Sequence, residues 1–322
     1  MATIRPFNAL RPQAERAPQV AAVPYDVVNA KEARALASGN PWSFLHVSRP
    51  EIDLPEGTPV YSDEVYTKAV DNFQELINKC PLEMEETPSL YLYRLIMGRH
   101  EQIGVVACCS VDEYDHDVIR KHERTRRDKE DDRTRHIMVL RAQTGPVLLT
   151  YRARPEISSL VADALGGNPP LYDFVANDDI RHTIWRVPTY DPLVEAFAKV
   201  PYLYIADGHH RAASASRARA EMKETAFAFI GNEEYNFFQC VLFPDDQLQI
   251  LPYNRVVRDL NGLSLNDFLG RLRESFSVTE NAPPAPAEPA RWSMYLDGRW
   301  WGLALPDDAN KRSRVIVKED RT

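Results

Sequence analysis

The sequence predicts an α+β fold, mixed α/β in the order of its elements. Segments of alternating hydrophobicity joined by short polar turns sit beside amphipathic stretches of helical spacing, and no regular strand–helix repeat of a doubly wound sheet runs through the chain. At 322 residues and 44% apolar content, the chain can bury a sizeable core in one large domain or two. A third observation gives the fold a centre. The apolar run 203–206 ends on Asp207-Gly208, and His209-His210-Arg211 then open a segment rich in Ala, Arg and Glu with strong helix propensity.

Taken in order, residues 3–9 read as a short strand, and 20–26 as a strand running into the proline turn of Val23-Pro24-Tyr25-Asp26-Val27-Val28. Asn29 caps a helix over Ala30–Ala37 that Gly39 stops. Asn40-Pro41 opens an extended run over 42–47, which carries His46. Val65, Ala69, Phe73, Leu76 and Ile77 form one apolar stripe on a helix over Asp63–Lys79. Residues 90–97 alternate, 98–101 turn and 103–111 return, which is the pattern of an antiparallel hairpin in the core.

The next segment, 120–136, contains no apolar residue; eight Arg or Lys and five Asp or Glu share its seventeen positions. His122, Arg126, Lys129, Arg133 and His136 follow a 4-3-4-3 spacing, so a continuous helix would put all five on one face. Two readings fit: a solvated helix laced with salt bridges such as Glu123–Arg127, or a surface that faces a polyanion. Thr144-Gly145-Pro146 then turns the chain into a strand at 147–151. A helix at 155–165, a strand pair at 171–175 and 181–187, and a helix at 191–199 lead into the central strand. Beyond the central helix come strands at 226–230 and 237–243, a helix at 265–275 and a hairpin at 292–305 with an Asp297-Gly298 turn. The expected organisation is a core over 1–280, a proline-rich spacer over 281–290, and a C-terminal hairpin and tail over 291–322.

Composition removes several classes of function. A net charge of −8 argues against a dedicated nucleic-acid coat. Four cysteines without C-x-x-C spacing read as buried free thiols in a reducing compartment. The N-terminus lacks a basic-then-apolar signal, and no apolar run approaches the ~18 residues of a membrane span. A soluble, cytoplasmic protein without a membrane partner is expected. The phosphate loop G-x-x-x-x-G-K-[ST], the dinucleotide fingerprint G-x-G-x-x-G, the hydrolase elbow G-x-S-x-G and the zinc motif H-E-x-x-H are all absent.

What remains is the central turn. A helix start offers amides without internal partners and a partial positive charge, so a strand, a glycine and a helix start make an anion site. Arg211, His209 and His210 would reinforce it, and Asp207 could hold a divalent cation or take a proton. The plainer alternative is a strand-to-helix turn with an Asp cap and exposed histidines. His209 and His210 point about 100° apart and cannot both chelate one ion, so a zinc site would need a distant partner such as His122 or His136. Phosphoryl transfer needs backbone amides, cationic side chains and a metal around the phosphates, and a carboxylate near the accepting hydroxyl. By that chemistry Gly208, His209, His210 and Arg211 hold phosphates, Asp207 holds Mg²⁺ and Lys129 and Arg133 are counter-charges. Glu123 is the candidate base, with Asp207 and His210 beside it in the catalytic set. Asp26, His46 and His122 are candidates on the substrate side; a helix cap for Asp26 and a core position for His46 are the simpler alternatives.

These residues carry a family resemblance. Val23-Pro24-Tyr25-Asp26-Val27-Val28, Asn40-Pro41-Trp42-Ser43-Phe44-Leu45-His46, Lys121-His122-Glu123-Arg124-Thr125, Thr144-Gly145-Pro146, Ala206-Asp207-Gly208-His209-His210-Arg211 and Asn254-Arg255-Val256-Val257 occur in one order. As a set they resemble the large prokaryotic family catalogued as domain of unknown function 1015. Its members usually continue well past the 292–305 hairpin, so a chain ending at Thr322 is expected to be a short variant or a truncated one. The Asp-Gly-His-His-Arg loop is also similar to that of free-serine kinases with the ParB/sulfiredoxin-like fold. That resemblance implies such a core, elaborated by extra hairpins and helices, with Asp207 to Arg211 as the phosphate and metal loop. It also implies transfer of a phosphoryl group from ATP or ADP, with Mg²⁺, to the hydroxyl of free L-serine. The alternatives are a non-catalytic nucleotide-binding switch of the ParB kind, using CTP or ATP, and a metal-dependent phosphoesterase.

Overall fold

The computed structural model describes residues 1–306 apart from 168, 226–229, 253 and 289. The chain falls into two compact units, 1–249 and 250–322.

Among the described residues, the first unit is organised by a nine-stranded mixed sheet. In chain order the elements are β1 (Ile4–Arg5), β2 (Leu10–Pro12), α1 (Ala17–Val20), α2 (Ala30–Ala37), α3 (Leu45–Ser48), α4 (Asp63–Lys79), β3 (Leu82–Met84), β4 (Leu90–Met97), β5 (His100–Ser110) and α5 (Val111–Asp115). They continue as β6 (Ile119–Arg120), α6 (Arg127–Leu140), β7 (Val147–Tyr151), α7 (Pro155–Leu165), β8 (Tyr172–Val175), β9 (Arg181–Val187), α8 (Asp191–Phe197), β10 (Leu203–Asp207), α9 (His209–Thr225) and β11 (Phe237–Pro244). The sheet runs β6-β10-β7-β11-β5-β4-β9-β8, with β1 pairing on β5. β6 with β10 and β7 with β11 are parallel; the other neighbours are antiparallel. The expected hairpin is β4–β5, with Tyr91 opposite Val106 and Met97 opposite His100.

Alternation along the strands buries one face of the sheet. Leu90, Leu92, Val105, Ala107, Leu149, Ile205 and Leu242 join Ile157 of α7 and Phe197 of α8 in the main core. Cys109 and Cys240 are buried in that core, Cys108 on the opposite alternation is half-buried, and all four thiols are free. A smaller cluster ties α3, α4 and α6 together through Val47, Ala69, Leu76 and Leu140. The capping box of α2 has both halves: Asn29 accepts from the Glu32 amide, and Glu32 accepts from the Asn29 amide.

Three sequence-based expectations need correction. The segment 20–26 is no strand: Pro18 stands in the first turn of α1, and Tyr25–Val27 winds into a short 3-10 turn after Pro24. The run 42–47 is not extended; the Phe44 amide bonds the Val20 carbonyl (3.1 Å), and α3 coils from Leu45 to bury Leu45 and Val47. Four residues are too few for a helical period to show in sequence. The charged segment is not one helix from 120, because Ile119–Arg120 is a strand and α6 starts only at Arg127. Nor is α6 a solvated helix: Asp132, Arg133, Thr134 and His136 are buried. The strand expected at 226–230 falls largely outside the described residues, as does the tail beyond 306.

In the second unit, α10 (Leu265–Arg273), β12 (Ser277–Glu280), β13 (Arg291–Leu296) and β14 (Arg299–Ala304) form a helix and a three-stranded antiparallel sheet ordered β12-β14-β13. The proline-rich stretch therefore connects two strands of one sheet. Among the described residues, no helix of either unit is long and apolar enough to cross a membrane.

Candidate functional site

β6 and β10 end the large sheet side by side, with Leu203 beside Ile119 and Tyr204 beside Arg120. Each strand leads into a helix. β10 crosses to α9 through Gly208 alone, whereas β6 reaches α6 through the charged stretch 121–126. The two helices pack together and run in the same direction. The Arg126 amide donates to His210 Nε2 (3.1 Å), Ser214 Oγ donates to the Glu130 carbonyl (3.2 Å), and Arg217 pairs with Asp131 (2.6 Å). These contacts climb both helices from their starts, so two helix N-termini, each with partial positive charge, meet at Arg126 and Gly208. Ligands of open α/β sheets bind at this place, outside the carboxyl ends of parallel strands.

Gly208 is needed twice over. Its φ of +90° disfavours any side chain, and a Cβ there would stand 3.3 Å from the Arg211 guanidinium. That guanidinium folds back under the turn. Its Nη2 donates to Asp207 Oδ2 (2.8 Å) and Asp26 Oδ2 (3.2 Å), and its Nη1 donates to the Pro146 carbonyl. Burial works to lower the Arg211 pKa, but Asp26 and Asp207 outweigh it and hold the group above its ordinary value. Gly145 packs against this side chain, where a Cβ would lie 3.4 Å from Arg211 Cδ, in van der Waals contact. Three motifs far apart in sequence thus meet on one guanidinium: Pro24-Tyr25-Asp26, Thr144-Gly145-Pro146 and the Asp-Gly-His-His-Arg loop.

The histidines connect this turn to the 121–126 stretch. His209 is buried, and its Nε2 has no hydrogen-bond partner. Its Nδ1 lies 3.5 Å from Glu123 Oε2, and its ring stands edge-on to His122 with centroids 4.4 Å apart. Burial and then the neighbouring His122 lower its pKa, so it is neutral at pH 7. His210 accepts the Arg126 amide at Nε2, which puts its proton on Nδ1. Glu123 therefore reaches the turn, with a side chain still 58% exposed.

Lys129 and Arg133 do not stand at Gly208. They line a cavity of about 190 Å³ together with Tyr25, Tyr61, Tyr66 and Glu51, and no residue of 207–211 lines it. Arg133 pairs with Asp132 (2.8 Å), donates to the Ser48 carbonyl (3.3 Å) and lies 4.2 Å over the Tyr25 ring. It meets Arg211 only as a fellow lining residue of a second, smaller cavity. The five-residue cationic stripe does not exist, because His122 and Arg126 precede the helix. His136 is buried, donates from Nε2 to the Val47 carbonyl (2.9 Å), and burial followed by Arg133 pushes its pKa down to about 3.

His46 is drawn elsewhere. Its Nδ1 meets Asp53 (2.9 Å) and its Nε2 lies 3.2 Å from the Asn40 carbonyl, so the ring is held between two acceptors. The Asp53 hydrogen bond outweighs burial and raises its pKa. His46 lines neither cavity and ties the 40–53 stretch together.

Among the described residues, no group of three or more His, Cys, Asp or Glu is arranged to hold a metal ion. Mg²⁺ bound with phosphates needs only one or two protein carboxylates. Asp207 and Asp26, which converge on one nitrogen, could supply them. Sequence reasoning missed Tyr25, Glu51, Tyr66 and Asp132. Tyr25 stands beside Asp26 in a motif that drew notice for its acid alone, and the wholly polar 120–136 segment carried no apolar stripe to signal a buried face.

The fold and site define a mixed α/β protein with a strand–glycine–helix turn suited to an anion. The family model described as "Protein of unknown function (DUF1015)" matches residues 4–319, and the chain belongs to that family. No curated protein and no solved structure matches it.

Proposed function

We propose that this protein is a small-molecule kinase on a ParB/sulfiredoxin-like core, passing a phosphoryl group from ATP or ADP to the hydroxyl of free L-serine. The observation that supports it most is the meeting of two helix N-termini at Gly208 and Arg126, with Glu123 beside them. The first amides of α9 and Arg211 would hold the nucleotide phosphates, and Arg211 would exchange its contacts with Asp26 and Asp207 for phosphate oxygens. Asp207, with Asp26, would hold Mg²⁺, which supplies charge neutralisation on the phosphates. His209 and His210 would donate or accept hydrogen bonds at the phosphates. Glu123 would take the proton of the serine hydroxyl as the serine oxygen bonds to phosphorus and the bond to the leaving nucleotide oxygen breaks.

The test is incubation of the purified chain with Mg²⁺, ATP or ADP, and L-serine, followed by phosphorus NMR. O-phosphoserine is expected, and Glu123→Gln should lower its rate by about 10²–10⁴ while nucleotide affinity stays within a few-fold. Nucleotide binding without serine phosphorylation would replace this reading with a nucleotide switch. Serine-independent hydrolysis would replace it with a phosphoesterase.

A further inference from the structure

The cavity over α6 is walled unlike a core. Arg49, Lys129 and Arg133 face it from one side of the charge balance, Glu51 and Asp132 from the other. Arg133 is matched by Asp132 (2.8 Å) and Arg49 by Glu51 (2.9 Å). Lys129 makes no ion pair: among the described residues no carboxylate oxygen lies within 4.0 Å of its Nζ, the Asp128 carboxylate bonding its backbone amide instead, and the Tyr61 ring lies 5.9 Å from Nζ. Glu51 and Asp132 are 8% and 7% exposed. Two ion pairs with buried carboxylates around a hollow carry a desolvation cost that apolar packing of the same space would avoid. A hollow of this kind is therefore better explained by a ligand than by stability.

Size and charge narrow that ligand. At about 190 Å³ the hollow is smaller than the ~300 Å³ at which pockets for drug-sized molecules begin, so it admits a few heavy atoms and no nucleotide. The Lys129 ammonium, without an ion-pair partner, calls for an anionic group, and the Glu51 carboxylate, which meets Arg49 through Oε1, has lone pairs left to accept from a cationic one. Tyr66 donates its hydroxyl to Asp132 (2.9 Å), and burial pushes the Tyr25 hydroxyl up to about 12, so it stays a neutral hydrogen-bonding group. The cavity also adjoins the Gly208 turn from two directions. Lys129 lies one helical turn after Arg126, which bonds His210, and Tyr25 directly precedes Asp26, which bonds Arg211.

We infer that this cavity binds a small free amino acid, its carboxylate on Lys129 and its ammonium toward Glu51. The ligand's role as phosphoryl acceptor rests on the kinase reading above; its binding does not.

Calorimetric titration of the full chain without nucleotide tests the assignment, with L-serine, L-serine methyl ester and glycerate as probes. Lys129→Met and Val60→Trp are the variants; Val60 lines the cavity but is 45% exposed, so a larger side chain there can obstruct the cavity with little strain on the core. L-serine is expected to bind the wild type, at least about 10-fold more weakly to Lys129→Met and not at all to Val60→Trp. The ester and glycerate, each lacking one charge, should bind about 10-fold or more below L-serine. Failure of L-serine to bind the wild type, or equal affinity in both variants, overturns the assignment. Serine bound here but never phosphorylated defeats the kinase reading alone. Serine phosphorylated with an unchanged KM in both variants defeats the cavity assignment alone.

Discussion

Arg133 and Arg211 line one small cavity with Tyr25, and their side chains are almost equally buried, 10% and 11% exposed. Their partners are not. Asp132, which holds Arg133, has a side chain only 9% exposed, whereas Asp26 and Asp207, which hold Arg211, are 36% and 64% exposed. A carboxylate this buried gains little solvation when it loses its cation, so the Arg133–Asp132 pair is held in place. An exposed carboxylate returns to solvent at small cost, so Arg211 can trade its partners for an incoming anion. Exposure of the acid, more than burial of the base, separates a structural pair from an exchangeable one.

The sharpest challenge to that contrast is Arg133→Met. It leaves Asp132 buried and uncompensated and should cost about 3–5 kcal/mol in chemical denaturation. A loss below about 1 kcal/mol would make Arg133 as exchangeable as its neighbour. Arg211→Met should do the reverse: stability changes by about 1 kcal/mol or less, while ATP affinity falls about 100-fold, or about 2.7 kcal/mol. Unchanged ATP binding with an intact fold would remove Arg211 from the site.

His136 belongs to the region of the Arg133–Asp132 pair and gives it a pH signature. Its folded pKa of about 3 lies below the ordinary 6.5, so the unfolded chain binds the extra proton between those values. Stability should therefore fall as pH drops below 6.5, by about 1.4 kcal/mol per unit from this residue, levelling near pH 3. Denaturation midpoints of wild type and His136→Gln across that window check the slope, which the variant should lack. Gly208→Ala should show the smallest effect, about 1 kcal/mol of strain from the positive φ, with ATP affinity lowered as the new Cβ crowds Arg211. A melting temperature and ATP affinity equal to wild type would mean the turn tolerates a side chain.

Legibility followed the range of the interactions involved. The helix Asp63–Lys79, the cap at Asn29, the β4–β5 hairpin and the strand–Gly208–helix turn rest on contacts within a few residues, which sequence periodicity and turn chemistry encode directly. The approach of Glu123 to His209 was expected only from chemistry, and the two-residue pairing of β6 with β10 that makes it possible is too short to carry any pattern. The 120–136 segment misled for a related reason. Hydrophobic periodicity reports apolar faces alone, and here the buried face of α6 is made of Asp132, Arg133 and His136.

By itself, then, the sequence determined the mixed class of the fold, the amphipathic helices, the central turn with its glycine, and membership of the family, because each is written in local spacing or in ordered motifs. Tertiary structure alone decided which charges meet. Asp26 and Pro146 reach Arg211 across 185 and 65 residues, and Arg133 reaches the Ser48 carbonyl across 85. Such pairings depend on how the sheet orders its strands and how the helices pack against it.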